Sequence, residues 1–285
     1  MSALTEKPIV LLGADGMLGR AFAGLLQAKG RPFEALTLPQ IDFTRPDSIR
    51  AAFSPRMSAV INCAAYTDVD GAESNSDLAE QINGRAVGEL ARLCKAHATP
   101  LIHFSTDYVF DGNNTLPYST DAPRHPVNKY GQSKAHGEEL IEQSGCEHLI
   151  IRTSWLYAPW GKNFVRTIAA AARTKPELRV VNDQRGRPTS AQLLARSALS
   201  LLDRGRRATW HITDSGECTR FDFASAIVRL TGAHCNVIAC TSAEFPRQAK
   251  RPAYSVLDIA KAEQELGPFP AWQSNLSEVI ACLEP

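Results

Sequence analysis

Tyr130 and Lys134 stand four residues apart in a stretch of helical pattern, so both side chains project from one face. A tyrosine is a poor acid–base group near neutrality because its reference pKa is about 10. A neighbouring ammonium stabilises the phenolate and lowers that value. Such a pair can pass a proton to a carbonyl oxygen while a hydride arrives at the carbon. Thr106, just past the apolar run Leu101–Ser105, can donate a second hydrogen bond to the same oxygen. By itself the tyrosine–lysine spacing is equally that of a surface helix pair. The strand-end hydroxyl, and a nucleotide-type turn upstream, set this instance apart.

That turn is marked by Gly13, Gly16 and Gly19, which follow the apolar run Ile9–Leu12 and open a helical stretch. The spacing is not GxGxxG, but the physics is shared. Glycine lets the backbone turn tightly and approach a pyrophosphate, which sits on the N–H groups at the helix start. An acid ending the second strand would bind a ribose 2′-OH and favour NAD. Residues 35–40 read ALTLPQ, with neither an acid nor an arginine for a 2′-phosphate. The sequence leaves NADPH and NADH open, and the missing acid leans toward NADPH. Asp42 could accept a hydrogen bond from an adenine amine, or serve as a loop carboxylate. Ala64 and Ala65, after the third strand, are small enough for a flat cofactor to lie on the backbone, or for close helix–sheet packing.

The elements that must position these residues alternate. Strands are expected at Ile9–Leu12, Phe33–Leu38, Ala59–Asn62, Leu101–Ser105 and His148–Arg152. Helices are expected from the glycine turn to Lys29, after a Thr44 cap with Asp47 in a capping box, over Ala79–His97 and over Tyr130–Glu142. This pattern means βαβ units: an α/β fold with a Rossmann-like doubly wound parallel sheet, its ligands at the carboxyl ends of the strands. The second half is punctuated by Pro159, Pro176, Pro188, Pro246, Pro252, Pro268 and Pro270. Elements are expected at Leu178–Val181, Ser190–Arg204, Thr209–Ile212, Arg220–Thr231 and Trp272–Leu283. The division that follows is a dinucleotide-binding domain over 1–158, with about 188–232 packing back onto it. Residues 159–187 and 233–285 then form a smaller C-terminal substrate-binding lobe.

Composition narrows the class. With 31 Lys+Arg against 30 Asp+Glu the net charge is +1, so nothing drives the chain globally toward nucleic acid or an anionic membrane. No run is apolar for the roughly 18 residues of a membrane span. The first residues, MSALTEKPIVLLGADG, lead into a strand and do not read as a signal peptide. Seven scattered cysteines, without a CxxC pair or zinc spacing, fit buried thiols of a reducing cytoplasm. No metal is expected.

Longer segments carry a resemblance. GADGMLG (13–19), INCAAYTDVDGAE (61–73), FSTDYVFDG (104–112), the PxNxYGxSKxxGE pattern (126–138), RTSWLY (152–157), VNDQRGRPT (181–189) and RPAYSVLD (251–258) span almost the whole chain. The chain resembles the extended short-chain dehydrogenase/reductases and, within them, the dTDP-4-dehydrorhamnose reductase family. The resemblance implies reduction of the 4-keto group of a dTDP-linked 4-keto-6-deoxysugar, dTDP-4-dehydro-L-rhamnose, with NADPH or NADH. It implies Tyr130 as proton donor, with Lys134 tuning it and binding the nicotinamide ribose. Thr106 polarises the carbonyl and Asp107 lies beside the sugar. Gly16, Met17 and Leu18 would line the pyrophosphate turn, Asp42 and Phe43 the adenine, and Ala64, Ala65 and Tyr66 the other flank. Trp155 would pack on the deoxysugar, and Asn163 and Arg251 would contact the diphosphate. For these last two, a helix-entry polar residue and a surface arginine are the competing readings.

The sequence also departs from the family. Some members dimerise through acids that hold a metal ion; the matching positions are Ala21 and Gln192. That implies a monomer or weak homodimer without a metal bridge. Thr120 stands for a frequent glutamate and Arg220 for a frequent tryptophan, and neither is expected to touch the chemistry. Two other functions share the motifs. One is a reductase or epimerase of another nucleotide-linked keto-deoxysugar. The other is a non-catalytic NAD(P)-binding regulatory subunit, as in a branch that partners methionine adenosyltransferase. The complete Thr106, Tyr130, Lys134 set argues against the last.

Overall fold

The protein is described by a computed structural model covering residues 7–53 and 57–283. Residues 1–6, read above as the lead-in to the first strand, lie outside the described residues. Ile9–Leu12 (β1), Phe33–Leu36 (β2), Ala59–Asn62 (β3), Leu101–Thr106 (β4) and His148–Thr153 (β5) join Ala208–His211 in one six-stranded sheet. Its order is Ala208–His211, β5, β4, β3, β1, β2, and every pairing is parallel. β1, β3 and β4 are buried along their whole length, which explains their mostly apolar sequences. One face is covered by the helix Met17–Ala28 (α1), through Phe22 and Leu26, together with Leu194 and Leu199 of the helix Ala191–Asp203. Ile49, Val87, Leu90 and Ile141 cover the other. β2 lies to one side of β1 and β3 to the other, so the crevice where ligands bind opens between the ends of β1 and β3.

Two local expectations change. The helix Pro46–Ala51 starts after Arg45 with no side-chain cap, and Pro46, preset for a first turn, replaces the expected Thr44 cap. The Thr44 N–H and hydroxyl both donate to Asp42 Oδ1 instead, at 2.9 and 2.6 Å. The helix expected over Ala79–His97 is broken by a π turn at Gln81–Arg85, between Ser76–Glu80 and Ala86–Ala96. That turn aims Asn83 at the Tyr66 backbone. Asn83 Oδ1 accepts from Tyr66 N–H at 2.9 Å, and Nδ2 donates to Tyr66 O at 3.0 Å.

A second core gathers Tyr157, Val165, Phe223, Ile227, Trp272 and Leu276. It is built on the helices Phe164–Thr174, Arg220–Thr231 and Trp272–Ala281. Of the segment 188–232, the stretch through His211 lies on the main sheet, whereas Arg220–Thr231 packs in this second core because its apolar face meets Tyr157 and Trp272. Asp214 is buried at the centre, accepting from Tyr157 Oη at 2.8 Å, Asn275 Nδ2 at 2.8 Å and Ser190 N–H at 3.1 Å. No helix among the described residues is long and apolar enough to cross a membrane. Of the seven thiols, all free, Cys94, Cys146, Cys218 and Cys240 are buried, while Cys63 and Cys235 are partly covered and Cys282 is exposed.

Candidate active site

Gly13 ends β1 with φ +70°, a conformation costly for any residue with a Cβ. A Cβ there would lie 2.7 Å from the Ala64 nitrogen, so the ends of β1 and β3 touch at this point. Gly16 caps α1, and a Cβ on Gly19 would collide with the Gly13 carbonyl. No side chain caps the start of α1, and Gly16 borders an open space. That space is a cavity of about 290 Å³, floored by Gly13 and Gly16 and flanked by Ala64 and Ala65. Thr37, Leu38, Asp42 and Phe43 close its far end. The Thr44 hydroxyl and N–H hold the Asp42 carboxylate below its usual range. No lysine or arginine among the described residues lines the cavity. Tyr66 is held at its edge by Asn83, with its hydroxyl beside Gly71 rather than in the cavity.

A chamber of about 600 Å³ continues from this cleft past Gly16, Met17 and Leu18. Thr106, Asp107, Tyr130, Lys134 and Trp155 line it together. Thr106 ends β4. Tyr130 and Lys134 ride one face of the helix Lys129–Ser144, whose start is fixed by Asn128 Oδ1 accepting the Gly131 N–H at 2.7 Å. The Thr106 hydroxyl donates to Asp107 Oδ1 at 3.0 Å and accepts from Tyr108 N–H at 3.1 Å. Burial pushes the Asp107 carboxyl up to about 6, against Ser255, Thr106 and the Arg220 charge.

Tyr130 is not acidified, contrary to expectation. Burial, reinforced by the Asp107 charge, pushes its phenol well above the ordinary tyrosine value, while a Thr106 hydrogen bond opposes the shift. Lys134 does not offset this, because its Nζ is engaged by the β4 strand. It donates to Phe104 O at 2.6 Å and lies 3.2 Å from His103 Nε2. Burial lowers Lys134 to about 8, although Glu138 and Cys63 favour its charge. Glu138, one turn further along, is itself buried and paired with Arg152 at 2.7 Å and Arg124 at 3.0 Å.

Trp155 projects into the chamber from a left-handed backbone position, φ +47°. The Arg220 guanidinium lies over its ring, 3.7 Å from the centroid. Arg220 also hydrogen-bonds Tyr108 and faces the Asp107 carboxylate. Arg220, which the sequence departures leave apart from the chemistry, is brought by the helix start at residue 220 to the β4 end. Asn163 and Arg251 are not brought to the chamber lining. Asn163 Oδ1 caps the helix Phe164–Thr174 by accepting the Arg166 N–H at 3.1 Å. Its Nδ2 donates to Ala158 O at 2.9 Å and Trp160 O at 3.1 Å, so the amide is used up locally. Arg251 pairs with Asp70 at 3.0 Å, behind Tyr108. Asn62 and His103, which stand behind Lys134, are not singled out by the sequence pattern. The one available signal was a histidine within the otherwise apolar strand start LIHF.

Among the described residues, no group of three or more His, Cys, Asp or Glu could hold a metal ion. Comparison with known proteins agrees with the geometry. The chain is 38% identical over 280 residues to a dTDP-4-dehydrorhamnose reductase of Mycolicibacterium smegmatis, covering 96% of this chain and 85% of the relative. It is 35% identical over 284 residues to a dTDP-4-keto-6-deoxy-D-glucose reductase of Streptomyces niveus, covering 98% of each. A crystal structure of dTDP-4-dehydrorhamnose reductase from Bacillus anthracis in complex with NADP superposes with TM-score 0.93 at 30% identity, over 97% of this chain and 99% of that one. The family described as RmlD substrate binding domain matches residues 7–284, and the chain belongs to it.

Proposed function

We propose that the chain is an NADPH-dependent reductase of the 4-keto group of dTDP-4-dehydro-L-rhamnose, yielding dTDP-L-rhamnose. The observation that carries this reading is the continuity of two spaces. A cleft at the α1 start, with the glycine cradle a dinucleotide needs, opens into a chamber lined by Thr106, Tyr130 and Lys134. The residues present fit a nicotinamide dinucleotide: its pyrophosphate on the α1 N–H groups, its adenine between Leu38, Asp42 and Phe43, and its ribose by Lys134. When bound, the dinucleotide supplies the hydride. Tyr130 holds its proton firmly at neutral pH, the state a proton donor must start from, and releases it to the substrate oxygen. Thr106 turns its hydroxyl from Asp107 to that oxygen, and Asp107 takes a sugar hydroxyl in exchange. An NADP-bound relative supports NADPH, as does the absence of an acid at the β2 end.

In this reading residues 1–158 bind the dinucleotide, with 188–212 packed against them. Residues 159–187 and those after 212 then form the lobe that holds the nucleotide sugar. One observation favours a neighbouring substrate. Arg220 on Trp155 changes the surface offered to the deoxysugar, and a relative at 35% identity is named for a different dTDP-linked keto-sugar. The test is NADPH consumption with dTDP-4-dehydro-L-rhamnose, with NADH, dTDP-4-keto-6-deoxy-D-glucose and a GDP-linked keto-sugar in parallel. Rapid oxidation with the first substrate alone supports the proposal. Oxidation with the second alone moves the assignment to that sugar. NADPH binding without turnover on any of them defeats the reductase reading.

A further inference from the structure

Two buried polar side chains line up behind Lys134, outside the chamber. His103 and Asn62 are register partners on the adjacent parallel strands β4 and β3, so they point to the same face of the sheet. They are 0% and 1% exposed, where polar groups must find hydrogen-bond partners. His103 Nδ1 lies 3.1 Å from Asn62 Nδ2, and His103 Nε2 lies 3.2 Å from Lys134 Nζ.

Counting donors locates the protons. Asn62 Oδ1 accepts the Ala64 backbone N–H at 3.1 Å, which fixes the amide and leaves its NH2 facing the ring. His103 Nδ1 is then an acceptor. Burial keeps His103 neutral, and a neutral imidazole with a bare Nδ1 carries its proton on Nε2. That N–H points at Lys134. A neutral amine accepts it through its lone pair, whereas an ammonium has only donors to offer. The bond from Lys134 to Phe104 O is available to either form.

We propose that Asn62 and His103 are positioning residues that set the protonation of Lys134: Asn62 holds His103 as the Nε2–H tautomer, and that tautomer opposes an ammonium on Lys134. The consequence for turnover rests on the reductase reading, in which a charged Lys134 assists Tyr130. Charging Lys134 requires His103 to lose its Nε2 proton and gain one at Nδ1. Nδ1–H then meets the Asn62 NH2, donor against donor, unless Asn62 turns over and abandons the Ala64 N–H. The other groups facing Lys134 are Glu138 on its own helix and Cys63 beyond β3, and both pull the other way. Glu138 is engaged by Arg152 and Arg124, and the charged group facing His103 is Lys134 itself.

The test is NMR of the full chain with 15N-labelled histidine and lysine, which needs no turnover, beside a pH–rate profile of NADPH oxidation. His103 should carry its proton on Nε2. Asn62→Ala removes the opposing donor without adding charge, and Asn62→Asp converts it to an acceptor. Both should move the His103 proton to Nδ1 and raise the Lys134 midpoint by about one pH unit or more, the size of one relieved buried donor clash. The alkaline limb of the rate profile should rise with it. A wild-type His103 protonated on Nδ1 overturns the proposal even if no variant folds. So does an unchanged Lys134 midpoint in folded Asn62→Ala. A shifted midpoint with an unmoved rate profile upholds the network and instead removes Lys134 from the chemistry of Tyr130.

Discussion

The guanidinium of Arg220 covers one face of the Trp155 indole, 3.7 Å from its ring centroid, while the Gly186 backbone approaches so closely that a Cβ there would lie 2.8 Å from the ring. Trp155 sits at φ +47°, a conformation that costs about 1–3 kcal/mol and persists only when its surroundings hold it. Arg220 is therefore both a support for the indole and a cation at the β4 end. Replacing it with Ala should raise KM for the nucleotide sugar by about tenfold, equivalent to about 1.4 kcal/mol. NADPH affinity should be unchanged, because Arg220 does not line the cleft at the glycine turn. Steady-state kinetics check this; unaltered KM and kcat would remove Arg220 from the site.

Tyr130→Phe deletes one oxygen and leaves the ring that packs edge-on to Tyr108 at 6.0 Å. Turnover should fall at least about a hundredfold, as for loss of a general acid. NADPH should still quench or shift protein fluorescence at the wild-type concentration. Near-normal turnover would exclude Tyr130 as the proton donor.

Gly13→Ala tests the cradle. The substitution imposes a Cβ at φ +70° and pushes it into the Ala64 nitrogen, so both strand ends must move. NADPH affinity should drop about tenfold or more, because the α1 N–H groups lose their alignment with the pyrophosphate. The melting temperature should fall by a few degrees, corresponding to about 1 kcal/mol of strain. Wild-type NADPH titration in this variant would disconnect the glycine turn from the cofactor.

Asp214 gives a pH dependence of stability that is independent of catalysis. Burial raises its carboxyl from 3.8 to about 7, even though Tyr157, Ser190 and Asn275 all donate to it. A group whose folded value exceeds its unfolded value binds more protons when folded. Its contribution is therefore complete below about 3.8 and is lost as pH rises through about 7. The wild-type melting temperature should fall between about pH 4 and 7 through this group, by about 2 °C for each roughly 1 kcal/mol. In Asp214→Asn that fall should be reduced. Parallel melting curves for the two proteins would show no such group.

What the sequence displayed and what it hid divide along physical lines. The strands β1, β3, β4 and β5 were visible because buried parallel strands carry short, mostly apolar runs. The Thr106, Tyr130 and Lys134 set was visible because two members share a helix and the third ends a strand. The π turn at Gln81–Arg85 was not visible: its helical period continues on either side, and only the contact of Asn83 with Tyr66 shows the insertion. The Thr44 cap, which the structure replaces with Pro46, and Asn163, which it places as a helix cap, share one physical cause. A short polar side chain beside a helix start has several local partners, and spacing does not say which one it takes. Arg220 lies on the far side of the second core from β4 in sequence, so only the fold brings it to Asp107. The acidified Tyr130 was expected from proximity to Lys134 alone. Desolvation, which dominates in the structure, has no signature in spacing.

Ala208–His211 pairs with β5 and extends the main sheet after the chain has already contributed the Phe164–Thr174 helix to the second core. The polypeptide is thus threaded back and forth, and no single cut frees a self-sufficient half. A fragment ending near residue 187 would lack Ala208–His211 and leave β5 with a bare row of backbone donors and acceptors, a template for aberrant pairing with other chains. It would also strip Leu194 and Leu199 from the surface of α1, beside the dinucleotide cradle. The main sheet and the second core are consequently inherited together, and an engineer wishing to exchange one must carry two separate stretches of chain, not one.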